Sequence, residues 1–361
     1  MNIFRQKQKK YIFLFIFIFL LFLACFIIYG IQTGHNSKAS YFSHTETREA
    51  LGTVVTITLF STEENPLTEK QLTDITNDLF NEADRLEHIF SARLNDSELS
   101  LLNSSAFISP VQVSEELFNL FDIALNYCSL SEGAFDISIG RLISLWNIGS
   151  DQPYVPSSDE ISSYLNQEGW KKISLDTESK TISYEDNSIS VDLGGIAKGY
   201  IGDRLKDMAE NKGITCGLLS LGGNIVTIGE RYTKEDWTIG ITNPASPDSI
   251  IGSLKVSHMS VVTSGDYERY FVENGVKYHH ILDPYTGYPS KSGISATTII
   301  GPSSAVCDAL STACFVLGTD RGMLLIESLE DYEAVFIDSS GSIYTSSGIS
   351  KYNFTANINT D

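Results

Sequence analysis

The sequence is poor in basic residues and in cysteine. Its 361 residues include 25 lysines and arginines against 45 aspartates and glutamates, a formal net charge of −20. This excess of negative charge opposes a broad phosphate-binding surface and excludes nucleic acid as an expected partner. Five cysteines are too few for a disulfide-dense scaffold. The 42% of hydrophobic residues excludes wholesale disorder, so we expect one large or two ordinary domains with a buried core.

The cysteines beyond the first 40 residues carry no recognisable motif. Cys128, Cys216, Cys307 and Cys314 form no Cys-x-x-Cys pair, so no zinc site is predicted. We expect buried free thiols, with a disulfide as the alternative if the domain lies outside the cytoplasm.

A long apolar run is present at the N-terminus. Residues 11–31 are almost wholly apolar and would span about 31 Å as a helix at ~1.5 Å per residue. Four basic residues and no acidic one accompany this run, which orients the N-terminus inward. We therefore predict a membrane anchor over residues 1–31, a polar tether over 32–49 and an extracytoplasmic domain over 50–355. The alternative is a lipoprotein, because Phe-Leu-Ala-Cys at 22–25 loosely resembles a bacterial lipobox with Cys25 as the lipidated residue.

The rest of the chain alternates between short strands and separate helices. Capping boxes at Thr68 with Gln71 and at Ser157 with Glu160 predict two helix starts. Strands are predicted at 53–60 and 188–193, and a last helix is predicted from the cap Ser304 to a stop at Gly318. This arrangement favours an α+β fold over a doubly wound sheet.

A strand-to-helix turn at 191–199, Val-Asp-Leu-Gly-Gly-Ile-Ala-Lys-Gly, carries the first chemical signal. Free backbone N–H groups at a helix N-terminus suit a phosphate, and Lys198 in the first turn opposes the helix dipole. The spacing matches neither a Walker A loop nor a dinucleotide-binding G-x-G-x-x-G. A phosphate site and an ordinary tight turn both remain open.

A carboxylate and a hydroxyl lie one turn apart on the last predicted helix. Asp308 and Thr312 are four residues apart and therefore project from one face. With backbone carbonyls they form an all-oxygen set suited to Mg²⁺. An ordinary helix with an acidic residue near its N-terminus is the alternative.

A histidine precedes a tight turn at 281–287, Ile-Leu-Asp-Pro-Tyr-Thr-Gly. With an ordinary pKa of about 6.5, His280 is suited to accept a proton near neutral pH. A histidine that only donates to a backbone carbonyl would look the same in sequence.

Eight segments, taken in order, resemble the ApbE family of FAD:protein FMN transferases between about Leu51 and Leu317. They are LGT (51–53), FS (90–91) with NDSELSLLN (95–103), GAFDIS (133–138), DLGGIAKGY (192–200), SLGGN (220–224), TSGDY (263–267), HILDP (280–284) with TG (286–287), and DALSTA (308–313). Eight ordered matches at sensible spacing make chance agreement improbable.

The resemblance implies an ApbE-like (T-fold-like) α+β domain that takes FAD as substrate, binds Mg²⁺, transfers FMN to a Thr or Ser hydroxyl of a target flavoprotein and releases AMP. By position it implies FAD contacts at Leu51, Arg93, Ala134, Phe135, Asp136, Asp192, Lys198 and Leu282. It implies magnesium ligands at the carbonyls of Gly195 and Ser311 and the side chains of Asp308 and Thr312, with His280 as the general base. Leu51 departs from the usual methionine, and Arg93 stands where an aromatic residue often covers the flavin.

Two rival functions remain from the sequence. In an extracytoplasmic FAD pyrophosphatase water replaces the acceptor hydroxyl, and in a flavin-storing protein no turnover occurs. The pair Asp308 and Thr312 favours an enzyme, because storage needs no metal at the diphosphate. An anchored enzyme is expected to act on acceptors that are themselves associated with the membrane.

Overall fold

The computed structural model describes residues 42–357. The predicted anchor over 1–31, Cys25 and the tether residues 32–41 lie outside them. The helices of the described part are α1 (Glu69–Phe90), α2 (Glu98–Ser105), α3 (Glu115–Leu130), α4 (Gly140–Trp146), α5 (Ser158–Tyr164), α6 (Ala197–Asn211) and α7 (Ser304–Glu327), with 3₁₀ turns at Gly169–Lys172 and Ile349–Tyr352.

The strands are β1 (Phe42–Ala50), β2 (Thr53–Ser61), β3 (Val111–Gln112), β4 (Ile173–Asp176), β5 (Thr181–Tyr184), β6 (Gly217–Leu221), β7 (Asn224–Ile228), β8 (Trp237–Asn243), β9 (Ser246–Val256), β10 (Ser260–Gly265), β11 (Tyr270–Glu273), β12 (Val276–His279), β13 (Ile294–Gly301), β14 (Glu333–Asp338), β15 (Ile343–Thr345) and β16 (Thr355–Ala356). Eight of them form one antiparallel sheet in the order β1-β2-β6-β7-β10-β13-β14-β15. Smaller sheets are the hairpin β11-β12 and the three-stranded β16-β9-β8 and β3-β5-β4. The predicted α+β class is confirmed.

The central strands of the large sheet are buried on both faces. Val262 and Ile299, paired across β10 and β13, belong to the core under α7, whereas their neighbours Val261 and Ile300 belong to the core under β8 and β9. Successive side chains of a strand point to opposite faces, so a doubly covered strand reads as a continuous apolar run. α6 and α7 pack against each other and against β7 and β10, which brings the start of both helices to one place.

The predicted capping boxes are confirmed. The Thr68 hydroxyl accepts the Gln71 N–H and the Gln71 side chain accepts the Thr68 N–H, and Ser157 and Glu160 form the same pair. The predicted strand over 53–60 is β2. The last helix begins one residue early, with Ser303 as its cap. Its helical backbone stops at Gly318 (φ 80°, ψ 179°), as predicted, and a second helical segment continues from this kink to Glu327 within α7.

Two predicted segments are wrong. Residues 42–49, assigned to the tether, belong to β1, an edge strand of polar residues whose Thr45 and Thr47 hydrogen-bond Thr58 and Thr56 of β2. The domain therefore begins before residue 50. Residues 188–193 form only one isolated bridge, at Ser190, because the Asn103 side chain bonds both the N–H and the carbonyl of Val191 in place of a neighbouring strand.

Within residues 42–357, α7 alone is long and apolar enough to cross a membrane. Its residues Cys307, Leu310 and Phe315 are at most 1% exposed and pack into the core against β13 and β14. We assign α7 to the core of the domain. The predicted anchor is a separate segment, outside the described residues.

Candidate active site

One cleft gathers nearly all the residues that the sequence analysis assigned to chemistry. It is lined by the β1–β2 turn, the end of α1, the segment around Phe135, the start of α6, the ends of the hairpin β11-β12 and the first turns of α7. Every predicted FAD-contacting residue, His280, Gly195, Asp308 and Thr312 line it. Ser311 does not: its side chain is fully buried behind the cleft.

The turn before α6 uses its own backbone groups. Asp192 Oδ1 accepts the Gly194 N–H at 2.8 Å, and Asp308 Oδ2 accepts the Gly199 N–H at 3.0 Å. Two N–H groups of the turn predicted to meet a phosphate are therefore already bound to carboxylates. A Cβ at Gly199 would lie 2.2 Å from the Ser304 carbonyl, so only glycine permits this approach of α6 to α7. For the N–H groups of Gly194 and Gly199, these bonds agree with an ordinary tight turn and not with a phosphate site.

Asp308 is buried at the point where α6 and α7 meet. Its side chain is 4% exposed, and Oδ2 lies 3.7 Å from the Lys198 ammonium, which also donates to the Gly194 carbonyl at 3.2 Å. A buried carboxylate with only these partners retains free lone pairs. The Lys198 ammonium is therefore held between an oxygen of Asp308 and the carbonyl oxygen of Gly194, so this place is suited to a cation.

The residues at this place fit a magnesium ion in part. Thr312 lies one turn after Asp308, and a Cβ at Gly195 would lie 3.3 Å from its hydroxyl, so the two residues are adjacent. One carboxylate, one hydroxyl and a backbone carbonyl are the oxygen ligands that Mg²⁺ takes along with water and phosphate. The Ser311 carbonyl fits less well, because it accepts the Thr297 hydroxyl at 2.7 Å. Within the described residues no group of three or more His, Cys, Asp or Glu side chains forms a metal cage.

His280 follows the hairpin β11-β12 and is held by Arg269. The Arg269 carbonyl accepts the His280 backbone N–H at 3.1 Å and lies 3.2 Å from Nδ1. Since a carbonyl only accepts, Nδ1 carries the proton and Nε2 keeps its lone pair. Desolvation, followed by the charge of Arg269, lowers the pKa of His280 well below its ordinary value. The imidazole is therefore a neutral base at pH 7.

Apolar side chains line another part of the cleft. They include Leu51, Phe90, Phe135, Ile139, Ile143, Trp146 and Leu282. Leu51 and Gly52 form the two-residue turn between β1 and β2, and both have positive φ, 56° and 66°. A leucine in this conformation is strained, and such strain is concentrated at functional positions. This part of the cleft can take a flat aromatic ring.

Asp136 is a buried carboxyl with one unsatisfied oxygen. Oδ1 accepts the backbone N–H and the hydroxyl of Ser138, whereas Oδ2 has no partner within the described residues. Burial raises the pKa of Asp136 to about 6. The folded protein therefore holds this proton more tightly than the unfolded chain does.

The raised pKa predicts that the Asp136→Asn variant is more stable than the parent at neutral pH. Ionisation of Asp136 costs the fold stability as the pH rises from about 4 to 6, and the full cost remains above that range. The neutral amide avoids a cost on the order of 2–3 kcal/mol at pH 7.5 and gains nothing below pH ~4. Thermal melts at pH 7.5 and 4 would measure this, with Asp151→Asn, on an exposed loop, as the unchanged control. Equal melting temperatures of parent and variant at pH 7.5 would contradict it.

Three further polar residues of the cleft had no predicted role. Asn224 is 1% exposed and its amide nitrogen has no partner within the described chain, and Glu268 and Arg269 directly follow the TSGDY segment. Desolvation raises the pKa of Glu268 and lowers that of Arg269. The sequence signal for these two residues was their position directly after a recognised segment. Their place in the cleft, however, depends on how the hairpin β11-β12 folds.

Comparison with known proteins gives one consistent result. The model of the ApbE family matches residues 51–336. A protein of Treponema pallidum called FAD:protein FMN transferase is 34% identical over 279 residues, covering 73% of this chain and 76% of its own. One of the same name from Klebsiella pneumoniae is 36% identical over 264 residues, covering 73% and 82%. The crystal structure of the ApbE protein of Thermotoga maritima superposes with a TM-score of 0.79 at 33% identity, covering 86% of this chain and 99% of its own.

Proposed function

The chain belongs to the ApbE family, and from this membership we propose that it is a magnesium-dependent flavin transferase. The reaction moves FMN from FAD to a Thr or Ser hydroxyl of a target flavoprotein and releases AMP. The observation that supports it best is that His280, with a free Nε2, lines the same cleft as Asp308 and Thr312. Relatives at 34% and 36% identity carry the name FAD:protein FMN transferase.

The first requirement of the reaction is to remove the proton of the acceptor hydroxyl. A threonine hydroxyl is a weak nucleophile, and a neutral imidazole within reach can take its proton as the oxygen attacks phosphorus. His280 meets this need because Arg269 fixes its tautomer and its lowered pKa keeps Nε2 unprotonated. We assign His280 as the general base.

The second requirement is to bind the diphosphate of FAD and to offset its negative charge. Gly195, Asp308 and Thr312 are the residues that would hold a magnesium ion, with Ser311 the weaker member of the predicted set because of its bond to Thr297. Magnesium, when bound, neutralises phosphate oxygens and stabilises a phosphate leaving group. Lys198 adds a positive charge beside the same carboxylate at 3.7 Å. Together these groups offset the repulsion between an anionic diphosphate and an incoming oxygen.

The apolar part of the cleft is assigned to the flavin. Leu51, Phe135 and Leu282 offer surfaces on which an isoalloxazine ring can pack, and Arg93 at the cleft edge can lie over a ring face through its guanidinium. Asp136, with its unsatisfied Oδ2, and Asp192 complete the predicted FAD contacts. In this arrangement the apolar side chains bind the flavin ring, and the polar side chains near Asp308 bind the diphosphate.

We also propose that the domain lies outside the cytoplasm, held by residues 1–31 as an anchor or through lipidated Cys25. The support is the apolar run at 11–31 behind a basic cluster. Acceptors would then be proteins at the same membrane surface, since an anchored enzyme meets such partners at high effective concentration.

With FAD, Mg²⁺ and a threonine-bearing flavoprotein subunit, the full-length chain is expected to produce AMP and covalently flavinylated acceptor in equal amounts. Chromatography of nucleotides and mass spectrometry of the acceptor measure the two products. AMP with free FMN and no adduct would establish the pyrophosphatase instead. Binding of FAD without AMP would establish storage.

A further inference from the structure

The Arg269 guanidinium lines the cleft without a protein partner. Within residues 42–357 it makes no hydrogen bond and no ion pair, although Glu268 and Asp308 are near enough to influence its pKa. A guanidinium carries five N–H donors and stays charged at all relevant pH values. Leaving these donors unpaired in a partly buried place is costly, so a ligand is expected to take them.

The rest of Arg269 is fixed in place. Its carbonyl accepts both the backbone N–H and Nδ1 of His280, and β11 begins at the next residue. Its side-chain stem lies against Gly149, where a Cβ would come within 3.3 Å of the Arg269 Cδ. A positively charged end on a held stem is pre-organised for binding, because little freedom is lost when a ligand arrives.

Two further basic side chains, Arg93 and Lys198, line the cleft with Arg269, beside the carboxylates of Glu268 and Asp308. Desolvation and then the charge of Arg93 lower the pKa of Arg269, and desolvation and then the charges of Arg269 and Lys198 lower that of His280. Lys198 has Asp308 and the Gly194 carbonyl as partners, whereas the Arg93 side chain, like that of Arg269, has none among the described residues. The guanidinium donors of Arg93 and Arg269 are therefore available to an anion that enters the cleft, although carboxylates line it as well.

We propose that Arg269 binds the diphosphate of FAD and thereby positions the transferred phosphorus beside His280. The inference rests on the proposed function for the identity of the anion. A guanidinium fork matches two phosphate oxygens, and Arg269 lines the same cleft as His280, so an anion bound there lies in the cleft of the base that activates the attacking hydroxyl. Arg269 is thus a binding residue in addition to those that the family resemblance implied.

The competing role for Arg269 is to neutralise Glu268, its neighbour in the chain. The Glu268 carboxylate also has no partner within residues 42–357, and the two charges favour each other's ionised forms. The two roles predict opposite effects at Glu268. Removing the Glu268 charge strengthens an anion site, whereas it would destabilise a fold that depended on the pair.

Inorganic pyrophosphate and riboflavin are the probes, titrated separately into the full-length chain in the presence of a chelator. The variants are Arg269→Met, Arg269→Gln, Arg269→Lys and Glu268→Gln, with Arg204→Met, an exposed guanidinium on α6, as the matched control. We expect both uncharged variants to bind pyrophosphate about 10- to 100-fold more weakly, the lysine variant to lie between them and the parent, and Glu268→Gln to bind it more tightly. Riboflavin affinity and the control should not change.

Less than a twofold loss of pyrophosphate affinity in both uncharged variants, with riboflavin still bound, would overturn the proposal. Equal drops in melting temperature for Arg269→Met and Glu268→Gln at unchanged pyrophosphate affinity would also overturn it in favour of the ion pair. Because neither probe is turned over, the outcome is independent of transfer. A parent chain that binds pyrophosphate through Arg269 and yet forms no adduct supports this inference while contradicting the transferase.

Discussion

Turnover of the Asp308→Asn variant is expected to fall by at least about 10³-fold while the protein folds normally. The amide oxygen of asparagine can still accept the Gly199 N–H that Asp308 Oδ2 accepts at 3.0 Å, so the contact between α6 and α7 persists. The substitution removes the negative charge that faces Lys198 and that would hold the proposed magnesium ion. Charge stabilisation of several kcal/mol at a phosphate corresponds to about three orders of magnitude in rate.

AMP release at saturating FAD and Mg²⁺ measures this effect, and a thermal melt checks the fold. Asp320→Asn is the matched control, because Asp320 is an exposed carboxylate on the same helix. Magnesium alone should raise the melting temperature of the parent and leave that of Asp308→Asn unchanged, since a ligand stabilises only the form that binds it. Parental turnover in the variant would remove Asp308 from the metal site.

Local rules predicted the local elements. The capping boxes at Thr68 and Ser157 marked two helix starts, because reciprocal side-chain to backbone bonds need only four consecutive residues. β1 was missed because its polar residues alternate around threonine pairs on an edge strand, which lacks the apolar alternation of a half-buried strand. The segment 188–193 looked like a strand, but its backbone is bound by Asn103, 88 residues earlier.

The candidate site was predictable where short motifs carry its residues. Asp308 and Thr312 share a helix face by spacing alone, and the resemblance placed the remaining residues in order along the chain. The hydrogen bond that the Ser311 carbonyl accepts could not be foreseen, because its donor is the Thr297 hydroxyl of β13. The same holds for Arg269, whose lack of partners is a property of the folded cleft.

The second large effect is expected at His280. His280→Ala should slow transfer by ~10²–10⁴-fold, the range for loss of a general base, while FAD remains bound. The hairpin should keep its place, because the His280 backbone N–H still donates to the Arg269 carbonyl at 3.1 Å. His88→Ala, an exposed histidine on α1, is the matched control. FAD titration and the rate of adduct formation separate binding from chemistry.

The pH dependence of the transfer rate tests the role of His280 further, because a purely structural role would leave it unchanged. The charged and titratable groups that act on His280 are Arg269, Lys198 and His279, and with desolvation they lower its pKa well below the ordinary value. A base is active when unprotonated, so the rate of the parent should stay level from pH 8 down through pH ~6.5 and fall only in more acidic solution. In His280→Ala the residual rate should lose this acidic limb. If His280→Ala keeps both the parental rate and the fall in rate at acidic pH, another group removes the proton. If the variant loses FAD binding in parallel with its rate, His280 is a binding residue instead.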